Sequence, residues 1–177
     1  MFLRTTGIAA ALFLIVTNGC SDAMTTEGED GAEVQASVTG GPRDVAAITR
    51  IVTTFDQAWG SDAVTYAGQY AGADFVGPDG GVMTDPAAIA GLYGFLFSVV
   101  FPGTVRESTI RRLTFLTGTL AVLDIDTQVT GYDSLPPGVV EWAPGIIRAR
   151  EKNILQKRGG SWRIIQHQQV LVAPGVP

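Results

Sequence analysis

A single histidine, a pair of aspartates and a set of tyrosines and glutamines are the side chains of this chain whose types and spacing suit chemistry. His167 is the one histidine in 177 residues. An imidazole in a pocket serves as a general base near neutral pH; the bland alternative is a polar strand residue satisfied by its neighbours. Asp124 and Asp126 alternate with Leu123 and Ile125 along an extended run, so the two carboxylates share one face. Turned into an apolar interior, such a carboxylate would have a raised pKa and could carry a proton beside a carbonyl. Solvation of an outer face is the expected arrangement, because two unpaired buried carboxylates two residues apart are costly. Tyr66, Tyr70 and Tyr93 can donate hydrogen bonds to a ligand oxygen. Gln166, Gln168 and Gln169 flank His167 and make a polar patch in the middle of an otherwise apolar strand, which suggests a pocket.

Other chemistries lack their residues. One histidine and one cysteine cannot build a zinc site, and no G-x-S-x-G elbow or G-x-G-x-x-G fingerprint occurs. No metal or cofactor is expected. Residues 44–177 hold 10 Lys+Arg against 12 Asp+Glu, a net of −2 within a total of −5, so there is no electrostatic case for nucleic acid.

The elements that must hold these residues begin after two segments of different character. Residues 1–20 carry Arg4, an apolar run from Gly7 to Val16 and then Thr17-Asn18-Gly19-Cys20. The run is too short for a membrane span and fits a secretory signal peptide. Cys20 directly after Gly19 resembles a bacterial lipobox, with Thr17 departing from its aliphatic position. The expectation is an exported bacterial protein, either secreted or held to the membrane by a lipid on Cys20. As the only cysteine it forms no intrachain disulfide. Residues 21–43 are rich in Gly, Ser, Thr, Asp and Glu and read as a flexible acidic linker.

The folded domain is expected over 44–173, with 174–177 as a tail. Val45, Ile48, Val52, Phe55 and Trp59 follow helical spacing, with Asp44 as N-cap and Gly60 as stop. Ser61 is placed to cap a short second helix with Val64 and Tyr66 or Tyr70 turned inward. Ala73–Val76 and Val82–Thr84 read as strands about a Pro78–Gly81 turn, and Asp85-Pro86 starts a third helix bearing Ile89, Leu92, Tyr93, Leu96 and Phe97. From Thr104 the period becomes two. Four long strands, Thr104–Leu116, Thr119–Tyr132, Ile146–Gln156 and Ser161–Val172, form an antiparallel meander, so the class is α+β with helices on one face of a curved sheet. Strict alternation in the last strand sets Trp162, Ile164, Gln166, Gln168 and Val170 on one face and His167, Gln169 and Leu171 on the other. Arg148, Arg150 and Lys152 share a face of the third strand, which by default is solvated.

The segments IVTTFDQAWGSDAVTYAGQYAGADFVGPDGG, PAAIAGLYGFLF, LTFLTGTLAVL and GGSWRIIQHQQ, in that order, resemble the SgcJ/EcaC family of the SnoaL-like, nuclear-transport-factor-two-like superfamily over about residues 45–172. The resemblance implies a cone-shaped, cystatin-like α+β barrel, a homodimer through the sheet and a pocket in the cone. It implies no single activity, since the superfamily includes isomerases, cyclases, dehydratases, epoxide hydrolases and binding proteins. The oxidoreductase label of the family has no cofactor fingerprint behind it here. Where the family often has a histidine, an arginine and an Asn-Thr pair, this chain has Tyr93, Thr114 and Gln169-Val170, so chemistry resting on those groups does not transfer. The Arg-x-Asp pair of a limonene-epoxide-hydrolase-like site is missing from the strands. The expected function is binding of a small, largely apolar molecule in the cone. The alternatives are a cofactor-independent isomerase or cyclase and a protein-interaction module.

Overall fold

The structure, a computed structural model, describes residues 40–135 and 138–176. The expected signal peptide, the lipobox-like Cys20, residues 21–39 of the expected linker, Pro136, Pro137 and Pro177 lie outside the described residues. The order of elements is α1 (Pro42–Ala58), α2 (Ala63–Ala67), β1 (Tyr70–Val76), β2 (Val82–Met83), α3 (Pro86–Phe95) continued by a π-turn over Leu96–Val100, then β3 (Val105–Thr117), β4 (Leu120–Thr130), β5 (Ile147–Arg158) and β6 (Ser161–Leu171). No helix among the described residues is long and apolar enough to cross a membrane.

Helix α1 buries Ile48, Ile51, Val52 and Phe55 against the sheet, as its 3.6-residue spacing requires. Asp44 does not cap it: the N-cap is Gly41, and Asp44 lies in the first turn. There its carboxylate accepts hydrogen bonds from Lys157 Nζ at 2.6 Å and Trp162 Nε1 at 2.9 Å, tying the start of α1 to the β5–β6 hairpin. These bonds hold the carboxyl below its ordinary range. Asp62, not Ser61, caps α2, accepting from the Thr65 backbone N–H. Val64 points outward at 75% exposure while Tyr66 is buried. Asp85 caps α3 as expected, with Pro86 in the first turn.

The six strands run in the order β2-β1-β6-β5-β4-β3. The four long strands form the expected meander, and the β5–β6 turn uses Gly159 and Gly160, both with positive φ, which suits a tight hairpin turn between right-twisted strands. The sheet as a whole is mixed: β1 runs parallel to β6, with Phe75 opposite His167. The chain can reach that edge in the parallel sense because β1 and β6 are separated by most of the domain and are not joined by a turn.

The last strand departs from strict alternation. Opposite β5, Leu155 pairs with Ile164 and Ile154 with Gln166, leaving Ile165 as the extra residue of a bulge. Before it, Trp162 and Ile164 face the core; after it, His167 does, while Gln166 and Gln168 are exposed. One inserted residue therefore moves the two glutamines to the opposite face from Trp162 and Ile164, with which simple alternation had grouped them.

Candidate functional site

The inner face of the sheet is apolar at its narrow end, where Leu113, Phe115, Ala121, Leu123, Leu155, Trp162 and Ile164 are buried. Toward the other end the same face turns polar. The inner positions of β5 read Ile147, Ala149, Glu151, Asn153 and Leu155, so a carboxylate and an amide interrupt the apolar series at mid-depth. Arg106 of β3 and His167 of β6 join them, and all four side chains are 3% exposed or less.

Arg106 is the tie between layers. Its Nη1 donates to Asp56 Oδ1 of α1 at 2.7 Å and its Nη2 to Glu151 Oε1 of β5 at 3.0 Å. Asp56 also accepts from the Ser108 backbone N–H and hydroxyl, so its carboxylate is held by β3 as well. The guanidinium lies 5.4 Å from the Phe55 ring centre and 5.8 Å from that of Tyr66.

Above this layer a cavity of about 360 Å³ opens between α3, the β1–β2 turn and the wide end of the sheet. Its walls are mostly apolar, from Trp59, Phe75, Leu92, Phe101, Ile147 and Leu171, and the polar side chains at its sheet side are Arg106, Thr127 and Gln169. Trp59 is oriented there by a 2.9 Å bond from its Nε1 to Thr104 Oγ1.

The candidates named from sequence separate into two groups. Tyr93 and Gln169 line the cavity; Tyr66 and Tyr70 are buried behind it, in one aromatic cluster with Phe55 and Tyr93. Burial pushes the Tyr66 hydroxyl up to about 12 and those of Tyr70 and Tyr93 well above the usual phenol value, so all three are neutral at ordinary pH. His167 lies under the cavity wall, stacked on Phe75 at 4.6 Å and bonded through Nδ1 to Asn153 Oδ1 at 2.8 Å. The amide oxygen accepts, which puts the ring proton on Nδ1.

Asp124, Asp126, Gln166 and Gln168 are on the other face of the sheet and do not enter the cone. Asp124 pairs with Arg112 at 2.9 Å and with Lys152; Asp126 pairs with Arg111, Arg148 and Arg150 at 3.3 to 3.6 Å. The face that could have carried proton transfer is thus a ladder of ion pairs, as expected for carboxylates that would otherwise be buried unpaired. A groove of about 580 Å³ crosses it, lined by Arg111, Arg112, Asp124, Arg150, Lys152 and Gln168 among others.

Arg106, Glu151, Asp56 and Asn153 are the inner polar residues that sequence reasoning missed. The signal was present in the Ile147-x-Ala149-x-Glu151-x-Asn153-x-Leu155 series, whose opposite face already carried Arg148, Arg150 and Lys152. Among the described residues, no cluster of three or more His, Cys, Asp or Glu has the arrangement of a metal site.

With this geometry the chain is similar to several solved structures of one fold. A domain of unknown function with a cystatin-like fold from Nostoc punctiforme is 19% identical, with a TM-score of 0.64 over 77% of this chain and 82% of that one. A putative scytalone dehydratase from Novosphingobium aromaticivorans is 13% identical, with a TM-score of 0.60 over 73% and 85%. A ketosteroid isomerase-like protein from Erwinia carotovora is 17% identical, with a TM-score of 0.60 over 76% and 100%. The fold is the cystatin-like, nuclear-transport-factor-two-like α+β fold. No family model matches the chain and no curated protein matches it in sequence, so the narrower SgcJ/EcaC likeness rests on the quoted segments alone.

Burial lowers the His167 pKa to about 4, with Arg106 acting in the same direction and Glu151 opposing. The unfolded imidazole titrates near its ordinary 6.5, so the unfolded state binds the extra proton first as pH falls. The contribution of His167 is complete above about pH 6.5 and is lost as pH drops toward 4, about 3 kcal/mol in all. Urea unfolding from pH 7 to 4.5 should show this loss, and His167→Gln should flatten the part of the slope between pH 6.5 and 4.5. An unchanged slope in that variant would place the titration elsewhere.

Proposed function

We propose that the folded domain binds a small, largely apolar molecule in the cone of its sheet. The observation that carries this reading is the cavity of about 360 Å³, apolar over most of its wall and with Arg106, Thr127 and Gln169 gathered on one side. That size and lining are those of a small-molecule site, in which apolar contact supplies affinity and a few polar groups supply orientation. Arg106 already serves two carboxylates, so its part is to orient a ligand oxygen with its remaining N–H groups while its charge stays neutralised.

Turnover by a cofactor-independent isomerase or cyclase is the second reading, and one observation favours it: Glu151 places a buried carboxylate just beyond the Arg106 side of the cavity. His167 is a weak base in its buried setting, which leaves Glu151 as the inner carboxylate nearest the cavity to test for that role. The names of the structural neighbours, a dehydratase and an isomerase-like protein, are consistent with that reading at the level of fold alone. The SgcJ/EcaC resemblance adds no reaction to it.

Export, a lipid on Cys20 and a homodimer through the outer face of the sheet are the remaining parts of the proposal. Their support is the residue 4–20 pattern and, for the dimer, the groove of about 580 Å³ that crosses the outer face.

Native and intact-mass spectrometry of the protein purified from its own host tests these together. The expected species is a dimer with one small molecule per protomer and a diacylglyceryl mass on an N-terminal Cys20. Empty protein that also fails to bind an apolar fluorescent dye would remove the pocket reading. Ala149 is 3% exposed and lines the cavity, so Ala149→Phe should fill the space and weaken dye binding by about tenfold or more, near 1.4 kcal/mol. Equal dye affinity in a folded Ala149→Phe variant would place the dye elsewhere.

A further inference from the structure

Among the described residues five buried side-chain polar atoms have no hydrogen-bond partner, and four of them belong to neighbouring residues of the inner face: Tyr70 Oη, Glu151 Oε2, Asn153 Nδ2 and His167 Nε2. The fifth, Arg148 Nε, belongs to the other face, where its guanidinium sits over the Trp142 ring. Each of the four residues is 3% exposed or less. Leaving a buried polar atom unpaired costs about 1–3 kcal/mol, so four on neighbouring residues point to buried partner groups and not to four separate defects.

The four residues are neighbours on the inner face. Asn153 and His167 are directly opposite each other on β5 and β6 and bonded, Glu151 is two residues along the same inner face, and the Tyr70 ring lies edge-on to His167 at 5.5 Å. Their chemistry is also matched. Glu151 Oε2 accepts; His167 Nε2 accepts, because the ring proton is on Nδ1; Asn153 Nδ2 donates; Tyr70 Oη does either. A single O–H donates one hydrogen bond and accepts another, so Glu151 Oε2 with Asn153 Nδ2 is its complement, while His167 Nε2 points away from the Asn153 amide that holds its Nδ1 and takes a second O–H. A bare carbonyl would leave both acceptors unserved, and a cation would meet the Asn153 amide.

We propose that Glu151 and Asn153, with His167 and Tyr70 beside them, form a binding site for a hydroxyl group beneath the cavity, filled by water in the ligand-free protein and by the alcohol of a cavity ligand when one is bound. Buried water commonly serves polar groups of this kind with about three hydrogen bonds. The route from the cavity is short: Ala149 lines it and Glu151 is the next inner residue of β5, about 7 Å deeper, while Gln169 lines it and His167 is the next inner residue of β6. The alcohol part of the inference rests on the proposed cavity reading; the water part does not. It narrows the ligand class from apolar molecules in general to apolar alcohols whose hydroxyl is carried on a short arm.

The test uses the full chain, crystallised without ligand and then with cyclohexylmethanol, and titrated with that alcohol and with methylcyclohexane, which shares its carbon skeleton. The ligand-free crystal should show an ordered oxygen within hydrogen-bond distance of at least two of the four atoms, and the alcohol oxygen should replace it. Asn153→Leu and Glu151→Gln should each weaken the alcohol about tenfold relative to the hydrocarbon, the loss of one hydrogen bond. Crystals that resolve other internal waters but place no oxygen at these atoms overturn the site. Ordered water with an alcohol bound by its hydrocarbon alone, its affinity unmoved in both variants, overturns the ligand arm and leaves the cavity reading standing. Failure of both probes to bind at all counts against the cavity reading, and the ordered oxygen then decides the hydroxyl site by itself.

Discussion

The interaction on which the interior depends is the bridge made by Arg106 between Asp56 and Glu151. It joins the helical layer to the middle of the sheet at the depth where the apolar core stops and the cavity begins. A charge this deeply buried is tolerated only with its partners in place, because removing one partner leaves the other charge without water or counterion. The same bridge sets the geometry around it. Asp56 is fixed by two further bonds from Ser108, and Glu151 keeps its second oxygen, buried and without a hydrogen-bond partner, two residues from Asn153 on the same inner face.

From that bridge the two faces of the sheet acquire different uses. On the inner face, one layer of buried polar groups separates an apolar narrow end from an apolar cavity. On the outer face, Asp124 and Asp126 are enclosed by basic side chains from β3 and β5. Exposed pairs of this kind contribute about 0–1 kcal/mol each, so the outer ladder adds little to stability beside the buried inner bridge. The inner triad governs which conformations the cone can adopt, since α1 cannot move away from the sheet without breaking it.

Much of the fold was legible in the sequence because packing periodicity is a local signal. The stripe of α1, the Asp85-Pro86 start of α3 and the four long strands all follow from spacing and turn residues. The parallel pairing of β1 with β6 was not legible, since strand direction across most of a domain leaves no mark in either strand alone. Gln166 and Gln168 were assigned to a ligand face because a bulge at Ile165 cannot be seen from alternation, which it interrupts. The site was read less well than the fold. His167, Tyr93 and Gln169 were found by residue type, whereas Arg106 and Glu151 were passed over because a charged residue on a strand is normally solvated, and the register sets them two strands and four residues apart, so that only the reach of the arginine side chain joins them.

The most direct test of this account is the unfolding free energy of Arg106→Met against that of the double variant Arg106→Met with Glu151→Leu, measured in urea at pH 7. The single substitution should cost about 3–5 kcal/mol by leaving Glu151 charged and unpaired, and the double should recover most of that loss by replacing the pair with apolar side chains of similar volume. A single variant as stable as the parent, or a double variant no more stable than the single, would contradict the claim that this buried bridge is what the interior is built around.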